Sequence, residues 1–153
     1  MPKKLKIEKN PEIIFKPLLT PKEMLRLGVF GGYYFEVKTK DVPQEIIKLA
    51  NSSKTKKKDP KLNYFNVSAS QSLSVWQKNG WINKVDPNGW FEWYIKYFYG
   101  RRLPKEDERQ IKRWYKMRRH VTQVKNNCRA GDTFCRPRQR QALLHWAYDS
   151  RNI

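Results

Sequence analysis

The stretch that decides the fold is DPNGWFEWYIKYFYGRR, at residues 86–102. Seven of the ten residues at positions 90–99 are aromatic, and a helix that is apolar on nearly every side is usually central to a core. Only Glu92 and Lys96, four residues apart and so on one face, are expected to face solvent. The alternative is that two or three rings lie at the surface and stack on nucleic-acid bases. The candidates for such stacking are Trp90, Tyr97 and Tyr99.

The segment after this block has the clearest helical periodicity in the chain. Pro104 begins it, and acidic residues at 106–108 occupy its first turns, where negative charge meets the positive end of the helix dipole. Apolar residues then recur every three or four positions, which predicts a face packed on the core. This stripe consists of Ile111, Trp114, Met117, Val121 and Val124.

The opposite side of the same helix is almost purely cationic. A solvated surface usually mixes both signs of charge, so we interpret this side as a surface that tracks phosphates; an ordinary solvated face is the alternative. A basic amphipathic helix also suits an anionic membrane, but here the apolar stripe is needed for the core. The cationic side consists of Arg109, Lys112, Arg113, Lys116 and Arg119.

The rest of the chain predicts a mainly α fold, with a single compact helical domain at residues 20–153. Residues 1–19 form a basic N-terminal arm whose apolar end docks on that domain. At most a small β-hairpin is expected near residues 28–37, where aromatic and β-branched residues follow a pair of glycines. The Lys-rich loop 51–61 is expected to be mobile. Shorter helices are predicted to begin at Thr20 and to span residues 43–50 and 68–78.

The net charge favours an anionic partner. The 153 residues carry 33 Lys and Arg against 14 Asp and Glu, a formal net charge of +19, and such a charge density attracts polyanions. Eleven of the twelve arginines lie at or after Arg101, and Arg has a planar fork suited to phosphate or guanine. We therefore predict a nucleic-acid partner, DNA or RNA.

Membrane association is not expected, because no apolar run approaches the roughly 18 residues of a membrane span. The sequence also shows no signal-peptide pattern after Met1. We expect an intracellular location, in the cytoplasm or nucleus, or packaging in a viral particle.

The last helix is predicted to start within Arg136-Pro137-Arg138-Gln139-Arg140. Positive side chains at a helix N-terminus oppose the helix dipole, so we expect an anion at that end. The anion is either a phosphate of the partner or an internal acid such as Asp132.

The only two cysteines, Cys128 and Cys135, bracket a turn-rich loop. The six intervening residues do not match the spacing of a zinc knuckle, although His120 and His145 flank the pair, so that a zinc site built from all four residues is an alternative. A disulfide is geometrically easy but disfavoured in a reducing compartment. We predict reduced, buried thiols, no metal and no cofactor.

Catalytic patterns are weak. There is no phosphate-binding glycine loop, and no Ser or Cys nucleophile has an evident His and acid partner. A base-excising enzyme, however, needs only one carboxylate among aromatic rings, and Asp86 or Glu92 beside the aromatic block fits that role. A nucleic-acid-processing enzyme, acting by base excision or strand cleavage, is therefore an alternative function. A structural component of a virion or large assembly is another.

Four segments carry a resemblance: DPNGWFEWY at 86–94, GRR at 100–102, DERQIKRW at 107–114 and CRPRQRQALL at 135–144. In these the chain resembles an uncharacterised family of small basic proteins from large DNA viruses and some cellular genomes. The resemblance implies a stand-alone unit and carries over no established activity and no catalytic residues.

We therefore predict a non-enzymatic nucleic-acid-binding protein. Its phosphate contacts would come from the cationic helix face and from the two Arg-rich segments beside it, with aromatic stacking as an addition. The predicted contact residues are Arg101, Arg102, Arg109, Lys112, Arg113, Lys116, Arg119, Arg136, Arg138 and Arg140.

Overall fold

The computed structural model describes residues 3–7, 10–68 and 85–153, and it gives the backbone alone for residues 3–7 and 10–14. The helix predicted at 68–78 therefore lies outside the described residues, except for its first residue. The described chain is mainly α-helical and forms a single domain, as predicted. Its elements are β1 Lys3–Ile7, β2 Asn10–Phe15, α1 Pro21–Arg26, α2 Gln44–Ala50, a 3-10 turn Pro60–Leu62, α3 Trp90–Phe98, α4 Pro104–Lys116, α5 Arg118–Asn127 and α6 Pro137–Leu144.

The β-structure lies in the N-terminal arm and not at residues 28–37. β1 and β2 pair antiparallel, with Lys3 opposite Phe15 and Leu5 opposite Ile13. Lysine and apolar residues alternate at positions 4–7, and this two-residue period is the signal of a strand. The arm therefore reaches the domain as a hairpin.

Residues 33–37, the predicted strand, bind two asparagine side chains instead of a partner strand. The Asn51 carboxamide makes three hydrogen bonds of 2.9–3.0 Å to the backbone of Tyr34 and Phe35. The Asn88 carboxamide makes three bonds of 2.8–3.0 Å to the backbone of the next two residues. Because these amides satisfy the backbone groups that a strand would pair, no sheet forms here.

Helix α3 forms the centre of the core, as its aromatic residues predict. Trp93 is fully buried, and Trp90 and Tyr97 are almost so. Phe15, the last residue of β2, inserts among the rings at centroid distances of 5.0–6.4 Å. Stacking on bases is therefore excluded for Trp90 and Tyr97, whereas Tyr99 is 45% exposed. The rings around Phe15 are those of Trp90, Trp93, Tyr94, Tyr97 and Trp114.

The helix predicted from Pro104 onward is two helices, α4 and α5, which meet at Met117. The Trp114 carbonyl accepts a hydrogen bond from the Met117 N–H at 3.1 Å and another from the Tyr148 hydroxyl at 2.6 Å. A side-chain donor inserted at a helical carbonyl is a known cause of such a break. The apolar stripe is nevertheless confirmed, since Ile111, Trp114 and Val124 are buried.

The Lys-rich loop 51–61 is bonded to the glycine turn that precedes residues 33–37. The Ser53 and Asp59 N–H groups donate to the carbonyls of Gly32 and Gly31 at 2.9 and 3.0 Å. Both glycines have a positive φ, which Gly adopts at little cost, so the turn can present these carbonyls to the loop. The mobility of the loop stays a prediction.

Replacing Phe15 with Ala is expected to lower the free energy of unfolding by about 3–5 kcal/mol, because the ring is lost from the centre of the aromatic cluster. The matched control is Phe134→Ala. Phe134 is 94% exposed in the loop between α5 and α6, so loss of its ring should leave stability nearly unchanged. Urea denaturation of both variants measures the difference. Equal stabilities of the two variants would contradict the central position of Phe15.

Candidate nucleic-acid interface

The charged residues of α3 form a buried ionic cluster and not the predicted solvent-facing pair. Lys96 Nζ lies 2.7 Å from Glu92 Oε2 and 3.1 Å from Asp86 Oδ1. Arg101 binds both oxygens of Asp86, at 2.9 and 2.7 Å. The prediction that Glu92 and Lys96 face solvent is wrong, because burial of these charges is tolerated when they neutralise one another. We call Asp86, Glu92, Lys96 and Arg101 the ionic cluster.

Glu92 is further enclosed by neutral donors. It accepts hydrogen bonds from the N–H and side-chain amide of Asn88, at 3.1 and 2.8 Å, and from the Thr39 hydroxyl at 2.5 Å. The Tyr34 hydroxyl donates to the Asn88 carbonyl at 2.7 Å, and burial raises the pKa of Tyr34 well above its usual value. A general acid must reach its substrate, so this enclosure gives the carboxylate a structural role.

Arg102 is exposed but lies against an aromatic ring. Its guanidinium carbon is 3.7 Å from the centroid of the Tyr97 ring, and its Nη1 donates a hydrogen bond to the Tyr97 carbonyl at 2.8 Å. A cleft of about 580 Å³ opens beside it, between the end of the arm and α3. Because Arg102 covers the ring, that face of Tyr97 is not open to a base.

The predicted cationic face of α4 is largely neutralised by acids on the same helix. Arg109 pairs with Glu106 at 2.7 Å, and Lys112 pairs with Glu108 at 3.2 Å. Arg113 is half-buried, and its guanidinium lies 5.3 Å from the centroid of the Trp146 ring. Burial, followed by the charge of Arg109, lowers the pKa of Arg113. These three side chains are therefore weaker candidates for phosphate than the sequence indicated.

Arg140 is fully buried and is not available to a phosphate. Its guanidinium donates to three backbone carbonyls, those of Ser150 at 2.7 Å, Cys135 at 2.8 Å and Arg129 at 3.5 Å. These bonds satisfy the donors of the buried guanidinium and tie the loop between α5 and α6 to Ser150. The prediction that Arg140 contacts nucleic acid is therefore wrong.

Cys128 and Cys135 form a disulfide, so the predicted reduced and buried thiols are wrong. Their Cα atoms are 5.8 Å apart, in the range that a disulfide spans. The thiol prediction depended on a reducing compartment, which the sequence does not fix. The cross-link closes the loop between α5 and α6.

The two histidines do not meet at the cysteines. His120 Nδ1 lies 3.0 Å from the Gln139 amide, whereas His145 is buried beside the ring of Phe30, at 4.8 Å between centroids. Within residues 3–7, 10–68 and 85–153, no group of three or more His, Cys, Asp or Glu is placed to hold a metal ion. The zinc alternative therefore has no set of ligands.

A run of exposed cations that lack an acidic partner begins at the end of α4. On α5, Arg118, Arg119 and Lys125 are exposed, and this helix contains no acid. Seven Lys and Arg side chains between residues 116 and 138 form no ion pair with any described residue, and the one acid of that segment is Asp132. We call these seven the cationic surface: Lys116, Arg118, Arg119, Lys125, Arg129, Arg136 and Arg138.

Gln139 holds the start of α6 beside α5. Its side-chain amide donates to Gln123 Oε1 at 2.5 Å and contacts His120 Nδ1, both on α5. The first turn of α6, which contains Arg138, is thereby held beside α5. Arg136 adopts a left-handed backbone, and α6 has no side-chain cap and no acid in its first turn. Four predicted residues lie in the cationic surface, and Arg118, Lys125 and Arg129 were missed because they fall outside the single long stripe.

No protein-family model, curated protein or solved structure matches this chain. The resemblance to a family of viral and cellular basic proteins therefore stays a prediction. In the part of the chain that the structure describes, no helix is both long and apolar enough to cross a membrane.

Asp86→Asn is expected to lower the free energy of unfolding by about 3–5 kcal/mol, because it removes the charged partner that the buried Lys96 shares with the partly buried Arg101. The matched control is Asp41→Asn, at an exposed position, which should change stability little. Denaturation of both variants at neutral pH measures the difference. A stable Asp86→Asn protein would contradict the structural role of the ionic cluster.

A pH dependence of stability is expected from His145. Burial, followed by the charge of Lys58, lowers the pKa of His145 to about 3. The unfolded chain takes up a proton near the ordinary pKa of about 6.5, so the free energy of unfolding should fall as the pH drops below that value. His145→Gln should flatten this fall between about pH 7 and 5, in urea denaturation.

His120→Gln is the control for this measurement. Burial also lowers the pKa of His120, but the side chain is partly exposed, so the same substitution there should flatten the fall less. An unaltered pH dependence in His145→Gln would contradict the assignment.

Proposed function

We propose that this protein binds nucleic acid, without catalysis, through the cationic surface. One observation carries the proposal: seven exposed cations in one stretch lack an acidic partner among the described residues, whereas Lys96 of α3 and Arg109 and Lys112 of α4 are paired with acids. Free in solution, such unpaired charges repel one another. A polyanion relieves that repulsion and releases its own condensed counterions.

The dimensions of α5 suit a phosphate backbone. Arg118 and Lys125 are seven residues apart and so share one side of the helix. Their spacing along the axis is about 10 Å, which corresponds to about three base-pair steps of 3.4 Å. Arg129 follows just beyond the end of the helix, and Arg138 lies in the first turn of α6, which Gln139 holds beside α5.

The proposal favours binding through phosphates over reading of sequence. Lysine and arginine contacts to phosphate give affinity and orientation, and sequence is read by contacts to base edges. Both DNA and RNA offer the phosphates that this surface requires. The proposal requires a location where nucleic acid is present, such as the cytoplasm, the nucleus or a viral particle. The disulfide is typical of an oxidising environment.

The alternative function of a base-excising or strand-cutting enzyme gains no support from the ionic cluster. Asp86 and Glu92 are buried and bound to cations. A structural role in a virion or large assembly would place the same cations against acidic neighbours and stays an alternative prediction.

The test measures binding to a short duplex and to a single strand at several salt concentrations. The logarithm of affinity should fall linearly with the logarithm of salt concentration. Arg119→Ala/Arg138→Ala should reduce the slope by about one to two units, because two phosphate contacts are removed.

A control of equal charge is Arg109→Ala/Lys112→Ala. This variant also loses two positive charges, but from residues that pair with Glu106 and Glu108. Its salt slope should stay close to that of the parent. Equal slopes in the two double variants would mean that total charge alone drives binding, and binding insensitive to salt would overturn the proposal.

A further inference from the structure

The loop closed by the disulfide, residues 128–135, is fastened to the body at several points. In addition to the Cys128–Cys135 bond, the buried Arg140 guanidinium donates to the carbonyls of Cys135 and Arg129. The Gly131 N–H donates to the carbonyl of Ile153 at 3.3 Å. The loop is thus anchored at both ends and in its middle.

The inside of the loop is also ordered by hydrogen bonds. Asp132 Oδ1 accepts from the Phe134 N–H at 3.1 Å. The Asp132 N–H donates to the Arg129 carbonyl, and the Asp132 carbonyl accepts from the Cys135 N–H, each at 3.1 Å. These bonds fix the backbone on both sides of Phe134.

This ordered loop presents a fully exposed aromatic ring. Phe134 is 94% exposed, the highest value among the large apolar side chains that the structure describes. The other exposed rings each lie against a neighbouring ring or guanidinium, whereas Phe134 has no such contact with any described residue. Those other rings are Tyr64, Phe98, Tyr99 and Tyr115.

Two arginines flank the loop that carries Phe134, and Asp132 is the one acid within it. Arg129 and Arg136 of the cationic surface stand at the two ends of the loop, and both are exposed. An apolar ring in water is unfavourable, and an ordered backbone beneath it reduces the conformational entropy that is lost on binding. An aromatic face beside guanidinium groups complements a base beside phosphates.

We propose that Phe134 stacks on an unpaired nucleobase while Arg129 and Arg136 hold the adjacent phosphates. The ligand class is single-stranded or locally unpaired nucleic acid. This inference depends on the proposed function and specifies its substrate. Because a phenyl ring offers no hydrogen bond, the contact accepts any base. The disulfide keeps the backbone of the loop in place for this contact.

The experiment compares Phe134→Ala and Phe134→Leu with the parent on a single strand that carries a fluorescent adenine analogue. Stacking on an aromatic ring quenches the fluorescence of such a base. Loss of the stacking contact should weaken binding about tenfold or more. Both variants should show the same weakening and lose the quenching, with an unchanged salt slope. Duplex binding should change much less, since its bases are already stacked.

Phe98→Ala is the matched control, because Phe98 is also exposed but lies outside the cationic surface. It should bind like the parent. Thermal melting of each variant confirms that the fold is kept, as expected for exposed positions. Equal weakening by Phe98→Ala would overturn the assignment to Phe134.

The outcomes separate the two proposals. If the parent binds with a steep salt dependence but Phe134→Ala binds equally well, stacking is overturned and the cationic surface stands. Parent-like binding by Phe134→Leu shows an apolar contact and also overturns stacking. If the parent does not bind nucleic acid, the proposed function itself fails. Phe134-dependent binding to phosphatidylserine vesicles, without binding to the single strand, would replace the base with a lipid surface and overturn the inference.

Discussion

The ionic cluster is the constraint on which the rest of the structure depends. Asp86 holds both Lys96 and Arg101, so the turn before α3 is joined to the end of that helix and to the segment after it. Glu92 joins the same helix to Thr39 and Asn88. A buried ion pair is weak evidence for stability, but removal of one partner is strongly destabilising. The cluster therefore fixes where α3 lies more than it adds to the total free energy of unfolding.

Acids are scarce in this protein, and their placement decides where positive charge is left over. Asp107 is buried as well, and it accepts from Trp93 Nε1 and from the Leu103 N–H, each at 2.8 Å. Glu106 and Glu108 pair with cations of α4. With these acids used around α3 and α4, residues 117–138 contain only one acid, Asp132. The same distribution that stabilises the first half of the helical body leaves the cationic surface uncompensated.

The sequence predicts those parts of the fold that depend on local patterns. The aromatic block identifies the core helix because a helix with so many rings has no polar side to expose. The capping box at Thr20 and Glu23 forms as the spacing indicates. The N-terminal hairpin was missed, although its alternation is visible, because the lysines suggested a solvated arm.

Errors occur where a distant side chain decides the outcome. The sequence around Glu92 does not show that Lys96 pairs with Asp86 as well as with Glu92. Glu92 and Lys96 were therefore predicted to face solvent. Tyr148 acts on Trp114 from 34 residues away and divides the long helix. The side chains of Asn51 and Asn88 bind the backbone of residues 34–37 in place of a partner strand, and no local sequence pattern predicts these contacts. For the candidate site, charge density indicates a region, which stays a prediction, and the pairing of individual arginines depends on contacts that only the fold creates.

The environments of three neighbouring arginines connect the fold with the proposed interface. Three arginines close together in the sequence, Arg136, Arg138 and Arg140, have the same chemistry but different environments. Arg140 is buried because three backbone carbonyls converge on it, and those bonds order the C-terminal loop. Arg136 and Arg138 then project from an ordered frame and not from a flexible tail. If these side chains bind as proposed, less conformational entropy is lost from an ordered frame, so the buried Arg140 favours binding by its exposed neighbours.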